Sequence, residues 1–385
     1  MEMAAMSAMS ALVFCLVQVV ITGSNLLLMR RLRASELETD QPYVSILVPA
    51  RNEEDNIFAC VDSLCRQNYQ GCEVIVLNDQ SEDGTALILQ ELCETYAHLH
   101  VIQGKGLPAG WYGKHWACWQ LVQRAKGSFV LFTDADTQHH PDTLRASVAK
   151  AQAENLDLLT AVVHQKMETW GERLTVSFPV WAIATLYPLV LGRAFGWAGF
   201  SAVNGQFMLF RRERYVALGG HKAVRSHAAD DMALGRLAIR AGYRWAVHDA
   251  TALVSCRMYR SFGQAVEGFT KNYFALFDYR VALAAFVWLW MVFITWVPLV
   301  MLLGHFGGLA VPGFAAAVSG VVLLVQALLW WLPVVRYRMH PVLVLLFPFV
   351  VTLASLIGFR SMIRSITGLT AWKGRTLGRS SVRWF

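Results

Sequence analysis

No two of the seven cysteines stand in a C-x-x-C pair, and their number is odd in a chain of 385 residues. A zinc ribbon or disulfide framework is therefore not expected, and reduced, mostly buried thiols in a cytoplasmic domain are. No G-x-x-x-x-G-K-[ST] occurs, which removes a Walker-type nucleotidase, and no G-x-G-x-x-G follows the first buried apolar run, which disfavours a dinucleotide oxidoreductase. Charge is absent, histidine aside, from residues 5–29, 281–304, 308–335 and 341–359. Acidic residues are absent from 360–385, where Arg360, Arg364, Lys373, Arg375, Arg379 and Arg383 stand. The net charge of +7 thus belongs to basic residues beside apolar segments, the membrane-surface kind. No basic patch with interleaved aromatics marks a nucleic-acid partner.

These gaps divide the chain. Residues 1–30 read as an uncleaved transmembrane anchor, since a basic n-region is missing and no small-residue cleavage site precedes Arg30, Arg31 and Arg33. The basic run places the polar stretch 31–280 in the cytoplasm, with a multi-pass cell-membrane location for the whole. Residues 281–359 form a C-terminal membrane block and 360–385 a basic cytoplasmic tail. Three crossings in that block would leave the tail outside. One apolar stretch is then re-entrant or interfacial, and the sequence leaves open which.

Within 31–280, strands alternate with helices. The apolar runs 43–50, 72–79, 99–104, 128–136 and 156–163 read as strands, and 52–67, 82–97 and the stretch reaching Gln123 as helices. This order predicts an α/β fold with a mainly parallel sheet covered by helices on both faces. Ligands bind at the carboxyl ends of such strands. Arg51, Asn52 and Glu53, then Asp79, then Asp134 and Asp136 all fall there. The spacing in Asp134-Ala135-Asp136 lets two carboxylates face one cavity. One can hold Mg²⁺ or Mn²⁺ and the other a ribose hydroxyl or a water, against the plainer alternative of a turn cap. His139 and His140, without a partner at metal spacing, are assigned to the following loop.

Farther along, "ADDMALGRLAIRAGYR" predicts a helix that starts near Asp230 and ends at Gly242. Asp231 is a candidate general base; the alternative is an acidic first turn complementing the helix dipole. Arg257 and Arg260 are candidates to clamp a diphosphate leaving group, or to anchor at a membrane surface. The segment after them has apolar residues at helical spacing, as an interfacial helix would. Residues 178–197 are apolar but broken by Pro188 and Arg193, which fits either a core helix or a membrane-dipping one.

Taken in order, "VSILVPARNEEDNI", "VLNDQSEDGT", "FTDADTQHHPDTL", "NGQFMLFRRERYVALGG", "ADDMALGRLAIRAGYR" and "RMYRSFGQAVEGFTKN" resemble the motifs of glycosyltransferase family 2 across residues 43–280. The flanking apolar segments and "WKGR" (372–375) resemble its lipid-glycosylating branch, the carotenoid, hopanoid-associated and ceramide-type enzymes. The resemblance implies a GT-A fold, a nucleotide-sugar donor with UDP-glucose expected, a divalent cation and a lipid acceptor in the bilayer. It implies substrate binding by Pro49, Arg51, Glu53, Asp79, Lys114, Asp134, Gly205 and Gln206. Asp136 would hold the metal, Asp231 would be the base, and Arg257 and Arg260 would attend the leaving group. One base without an opposed second carboxylate suits inverting displacement. The family's (Q/R)-x-x-R-W motif has Ser261 where its tryptophan stands, which argues against a processive polysaccharide synthase. A non-enzymatic membrane scaffold is the remaining, remote alternative.

Overall fold

The computed structural model describes residues 2–33, 41–369, 371–372, 375–376 and 382–385; Lys373 and Gly374 of "WKGR" and Arg379 of the basic tail lie outside them. The strands are β1 Val44–Ala50, β2 Cys72–Asn78, β3 Leu99–Gln103, β4 Phe129–Phe132, β5 Thr137–His139, β6 Leu158–Val162, β7 His164–Gln165, β8 Met208–Arg211, β9 Trp245–Asp249 and β10 Val254–Cys256. The helices are α1 Glu2–Leu28, α2 Ile57–Cys65, α3 Thr85–Thr95, α4 Gly113–Val122, α5 Thr143–Ala153, α6 Trp170–Thr185, α7 Leu189–Phe195, α8 Arg212–Ala217, α9 Gly220–Ala223, α10 Asp230–Arg240, α11 Phe262–Asn272, α12 Val281–Phe306, α13 Gly313–Arg336 and α14 Leu343–Thr367. They form two compact units. The α/β unit comprises Leu28–Lys166 and Leu189–Met258, and the helical unit Met1–Leu27, Met167–Pro188 and Tyr259–Phe385.

The α/β unit is built on a seven-stranded sheet of order β3-β2-β1-β4-β8-β6-β9. Every pairing is parallel except those of β8, which runs antiparallel to β4 and β6. The inner strands are unbroken apolar runs because both faces are covered. Ile46, Val48, Val74, Val76 and Leu131 pack with Ile57, Val61 and Leu64 of α2 in one core, each such burial contributing roughly 1.5–3 kcal/mol. A polar knot sits at the other end of the sheet. Glu73, 1% exposed, accepts at Oε1 from the Ser45 hydroxyl at 2.6 Å and from the Lys126 N–H at 2.9 Å, which offsets the cost of burying that oxygen. A second sheet, β5-β10-β7, lies beside the site described below. The residues after α1 add to the edge of β9: Leu32 N–H donates to Asp249 O and Asp249 N–H to Arg30 O.

Several sequence expectations shift. The helix expected over 52–67 begins only at Ile57. Asn52 is left-handed, with φ 51°, and its loop is stitched to the 79–85 loop through Ser81, Asp83 and Thr85. The strand expected over 128–136 ends at Phe132, so Asp134 and Asp136 lie in the turn between β4 and β5. His139 is corrected from loop to strand: it is buried in β5, its Nε2 within 3.1 Å of the Thr133 hydroxyl and 3.0 Å of the Thr137 hydroxyl. Its burial pushes the imidazole down to about 3. His140 remains exposed.

In the helical unit, α1, α12, α13 and α14 are long and apolar enough to cross a membrane. Helices α12 and α13 form an antiparallel hairpin, with Gln326 donating to Ile294 O at 2.7 Å and Ser319 to the Met301 sulfur at 3.7 Å. The last turns of α14 meet α11, where Arg364 pairs with Glu267 at 2.7 Å, Arg360 pairs with it too, and Ser361 Oγ accepts from the Phe274 N–H. Asn25 donates to the carbonyls of Ala184 and Tyr187, which caps the end of α6. Residues 178–185 of the 178–197 stretch enter as the end of α6, grouped with the long helices, while 189–195 form α7 in the α/β unit. Near the C-terminus, Val281 and Ala282 donate to the carbonyls of Arg383 and Trp384, and Arg383 N–H donates to Tyr279 O.

Candidate active site

The carboxyl ends of β1, β2 and β4 carry the expected groups. Beyond β1, the Arg51 guanidinium donates to Asp79 O at 2.7 Å and Gln80 O at 3.2 Å, while Asp79 N–H donates to Ala50 O. Arg51 therefore locks the ends of β1 and β2 together, and Asp79 is held 96% buried (4% exposed) beside it. Pro49 lies within β1 in register with Leu77, one residue short of the strand's end at Ala50.

The turn after β4 is fixed by hydroxyls. Thr133 donates to Gln206 O at 2.8 Å and Thr137 to Asp134 O at 2.7 Å. These bonds aim the two acids in different directions. Asp134 Oδ1 meets the Lys114 ammonium, from the first turn of α4, at 2.5 Å. Asp136 bonds the Cys256 thiol at the end of β10, and its Oδ1 is buried without a hydrogen-bond partner. Burial, with the charges of Asp134 and Glu53, pushes the Asp136 carboxyl up to about 7. An orphaned, buried carboxylate oxygen among other carboxylates fits a hard divalent cation, which takes one or two carboxylates and completes its shell with phosphate and water.

Asp231 opens α10 and reaches the same place. Its Oδ2 accepts from the Gly205 N–H at 2.9 Å and its Oδ1 from the Met232 N–H at 2.7 Å. A β-carbon on Gly205 would lie 3.3 Å from both Asp231 Oδ2 and Lys114 Nζ. Glycine here lets the Asp231 carboxylate and the lysine flank one backbone segment. Burial first, then the charge of Asp230, push the Asp231 carboxyl up to about 6, against Lys114 and the two N–H groups. Burial works against the Lys114 ammonium, but Asp134 and Asp230 hold it well above the usual lysine range. Gln206, 4% exposed, extends the set: its amide donates to Cys256 Sγ at 3.0 Å and accepts from Gln165 at 2.7 Å.

Lys114, Asp134, Gly205 and Asp231 are thus in direct contact, with Asp136 and Gln206 joined through Cys256. Arg257 follows Cys256 directly. Arg260 belongs to the helical unit, where its N–H donates to Gln264 Oε1. Next to it Ser261 caps α11, accepting from Gln264 N–H at 3.3 Å. Sequence reasoning passed over Cys256, Asp230, His115, Tyr215 and His221. The signal available for the last two was "YVALGGH" (215–221), a double glycine that sets a histidine back onto the preceding helix.

Residues 45–216 match the family described as Glycosyl transferase family 2. Two relatives named 4,4'-diaponeurosporenoate glycosyltransferase, from Staphylococcus aureus strains MRSA252 and USA300, are 30% identical over 248 and 249 residues. Each match covers 63% of this chain and 64% of the relative, so the chain spans less than two thirds of their length. Among solved structures, the mannosyltransferase PcManGT from Pyrobaculum calidifontis, in complex with GDP-Man and Mn²⁺, shares the fold with a TM-score of 0.55 at 17% identity, over 94% of this chain and 98% of that one. The motifs in order, the mostly parallel sheet and these matches converge: residues 45–216 match glycosyl transferase family 2, and the fold is GT-A-like.

Proposed function

We propose that the protein transfers a sugar, glucose from UDP-glucose, to a polar group of a membrane lipid with inversion at the anomeric carbon. The acceptor class is a carotenoid or another isoprenoid or sphingoid lipid, in keeping with the diaponeurosporenoate in its relatives' name. The observation that carries the reading is the meeting of Asp231 with Lys114 and Asp134 across Gly205. A carboxylate lifted toward neutrality is matched to removing a proton from an acceptor hydroxyl. Glu53, Asp79 and Asp134 would bind the nucleotide, with Pro49 and Arg51 shaping that end of the site, and Gly205 and Gln206 would border the acceptor. Lys114, anchored on Asp134, presents positive charge to the donor. Asp136 would hold Mg²⁺ or Mn²⁺, which supplies charge neutralisation of the diphosphate, and Arg257 and Arg260 add to it.

In this reading the chain is a multi-pass cell-membrane protein with residues 31–280 as its cytoplasmic catalytic part. Membranes containing the protein, given a panel of labelled nucleotide sugars, should yield one labelled lipid on extraction and mass analysis. No labelled lipid with any donor would sink the reading. Long polymeric products would favour a processive synthase instead; Ser261, a helix cap where that class has tryptophan, speaks against them.

A further inference from the structure

Beneath Asp231 lies a buried chain of polar groups that the proposed reaction does not use. Gly219 and Gly220 are both left-handed, with φ 84° and 49°. A β-carbon on Gly220 would lie 2.5 Å from the Tyr215 ring, so only glycine lets the chain turn back over α8. That turn sets His221 onto Tyr215. The Tyr215 hydroxyl accepts from the His221 backbone N–H at 2.9 Å and stands 2.5 Å from its Nδ1. With Tyr215 donating to Nδ1, the Nε2–H is left to face Asp230, whose Oδ2 is 3.3 Å away. His115 Nε2 stands 3.9 Å from the other oxygen of Asp230. Tyr215 and His221 are 0% exposed and Asp230 is 7% exposed.

An acidic residue in a helix's first turn ordinarily serves the helix terminus. Asp230 does not cap α10: no side chain caps that helix, and the carboxylate is turned inward to the two histidines. The groups facing it are Lys114, His115 and Cys118 from α4, Tyr215 from α8, His221 from α9, and Asp231 on its own helix.

We propose that Asp230 is a positioning residue for transfer, seated by the Tyr215–His221 chain so that its charge acts on the base Asp231 and on Lys114 at once. The inference rests on the transferase reading above. Burial opposes the Asp230 carboxylate, but Lys114, His115 and His221 hold it well below the usual range, so its charge persists. That charge is the second cause, after burial, of the raised Asp231. It also steadies the Lys114 ammonium that holds Asp134. One carboxylate kept charged behind another separates their proton affinities, the arrangement that fits an acid pair for proton transfer.

The test titrates Asp231 directly in the full-length protein. A carbodiimide modifies protonated carboxyls, and Asp231 is partly exposed, so labelling of its peptide, followed by mass spectrometry across pH, reports its protonation without any substrate. Asp230→Asn should lower the labelling midpoint by roughly one pH unit, the size of a near like-charge effect. It should also lower kcat for lipid glycosylation at least tenfold with donor KM within twofold. Tyr215→Phe keeps the ring over Gly220 and serves where Asp230→Asn folds poorly; it should shift the midpoint the same way by less. An unmoved midpoint in both variants, with only the melting temperature lowered, leaves a structural role and overturns the proposal. A wild-type protein inert with every donor overturns the transferase reading itself, whatever the labelling shows.

Discussion

Replacing Gly205 by alanine tests the site's geometry with one added carbon. The new β-carbon would sit 3.3 Å from Asp231 Oδ2, 3.3 Å from Lys114 Nζ and 3.5 Å from Asp231 Cβ. The two 3.3 Å separations are tight enough that the neighbouring atoms must give by a few tenths of an ångström, while the 3.5 Å one is ordinary contact. Backbone strain is not at issue, since Gly205 is not among the left-handed residues. Relaxation must move the carboxylate or the ammonium, because the backbone at 204–206 is held by the Thr160 hydroxyl and by Thr133 on Gln206 O. A displacement near 1 Å costs about a hundredfold in rate, so a shift of a few tenths should cost about tenfold, equivalent to about 1.4 kcal/mol of barrier. Stability should change by less than about 1.5 kcal/mol, as for small volume changes. The assay pairs labelled-sugar incorporation into extracted lipid with thermal melting of the same preparation. Full activity in Gly205→Ala at unchanged melting temperature would refute the claim that Asp231 and Lys114 act where the structure puts them.

Asp231→Asn should reduce transfer to a hydroxyl acceptor by about 10²–10⁴-fold, the range for losing a general base, while calorimetry still shows donor binding. Asp231 is protonated below its raised value of about 6, so kcat/KM for a hydroxyl acceptor should fall with each pH unit below 6; a carboxylate acceptor, which brings no proton to remove, should show a flatter acid limb in the same assay. Asp136→Ala should abolish any Mn²⁺-dependent component of nucleotide-sugar binding measured by titration, and chelator should mimic it in the wild type. Away from the site, Gly358→Ala would drive a methyl into the Trp288 indole and should destabilise the helical unit by about 1–3 kcal/mol, the usual overpacking penalty, read as a lower melting temperature.

Strands such as β1 and β2 were legible because burial on both faces leaves a continuous apolar run, as in "VSILVPA" and "CEVIVLN", whereas β9, buried throughout but carrying His248 and Asp249, was passed over. Strands β7, β8 and β10 were not, being two to four residues long, too short for any period to declare itself. The acids of "DAD" could be placed at a strand end, yet their division of labour depends on partners far along the chain, Lys114 for Asp134 and Cys256 for Asp136. His139 misled because polarity in a turn-rich stretch suggests solvent, whereas two threonine hydroxyls and a neighbouring strand enclose it. Asp230 hid for a related reason. Its charge invites a helix-terminus explanation, and only the packing of α9 shows where it points.

The clasp between Tyr279–Ala282 and Arg383–Trp384 makes the helical unit's C-terminal part a closed circuit. Whatever path the backbone takes from α12 onward, it returns to its starting level. Helix α13 already comes back along α12, and a compact turn at 337–342 hands the chain to α14. Helix α14 ends against α11, which leads into α12. A bilayer holding this unit would therefore meet the start of α12 and the residues at 383–384 at one level.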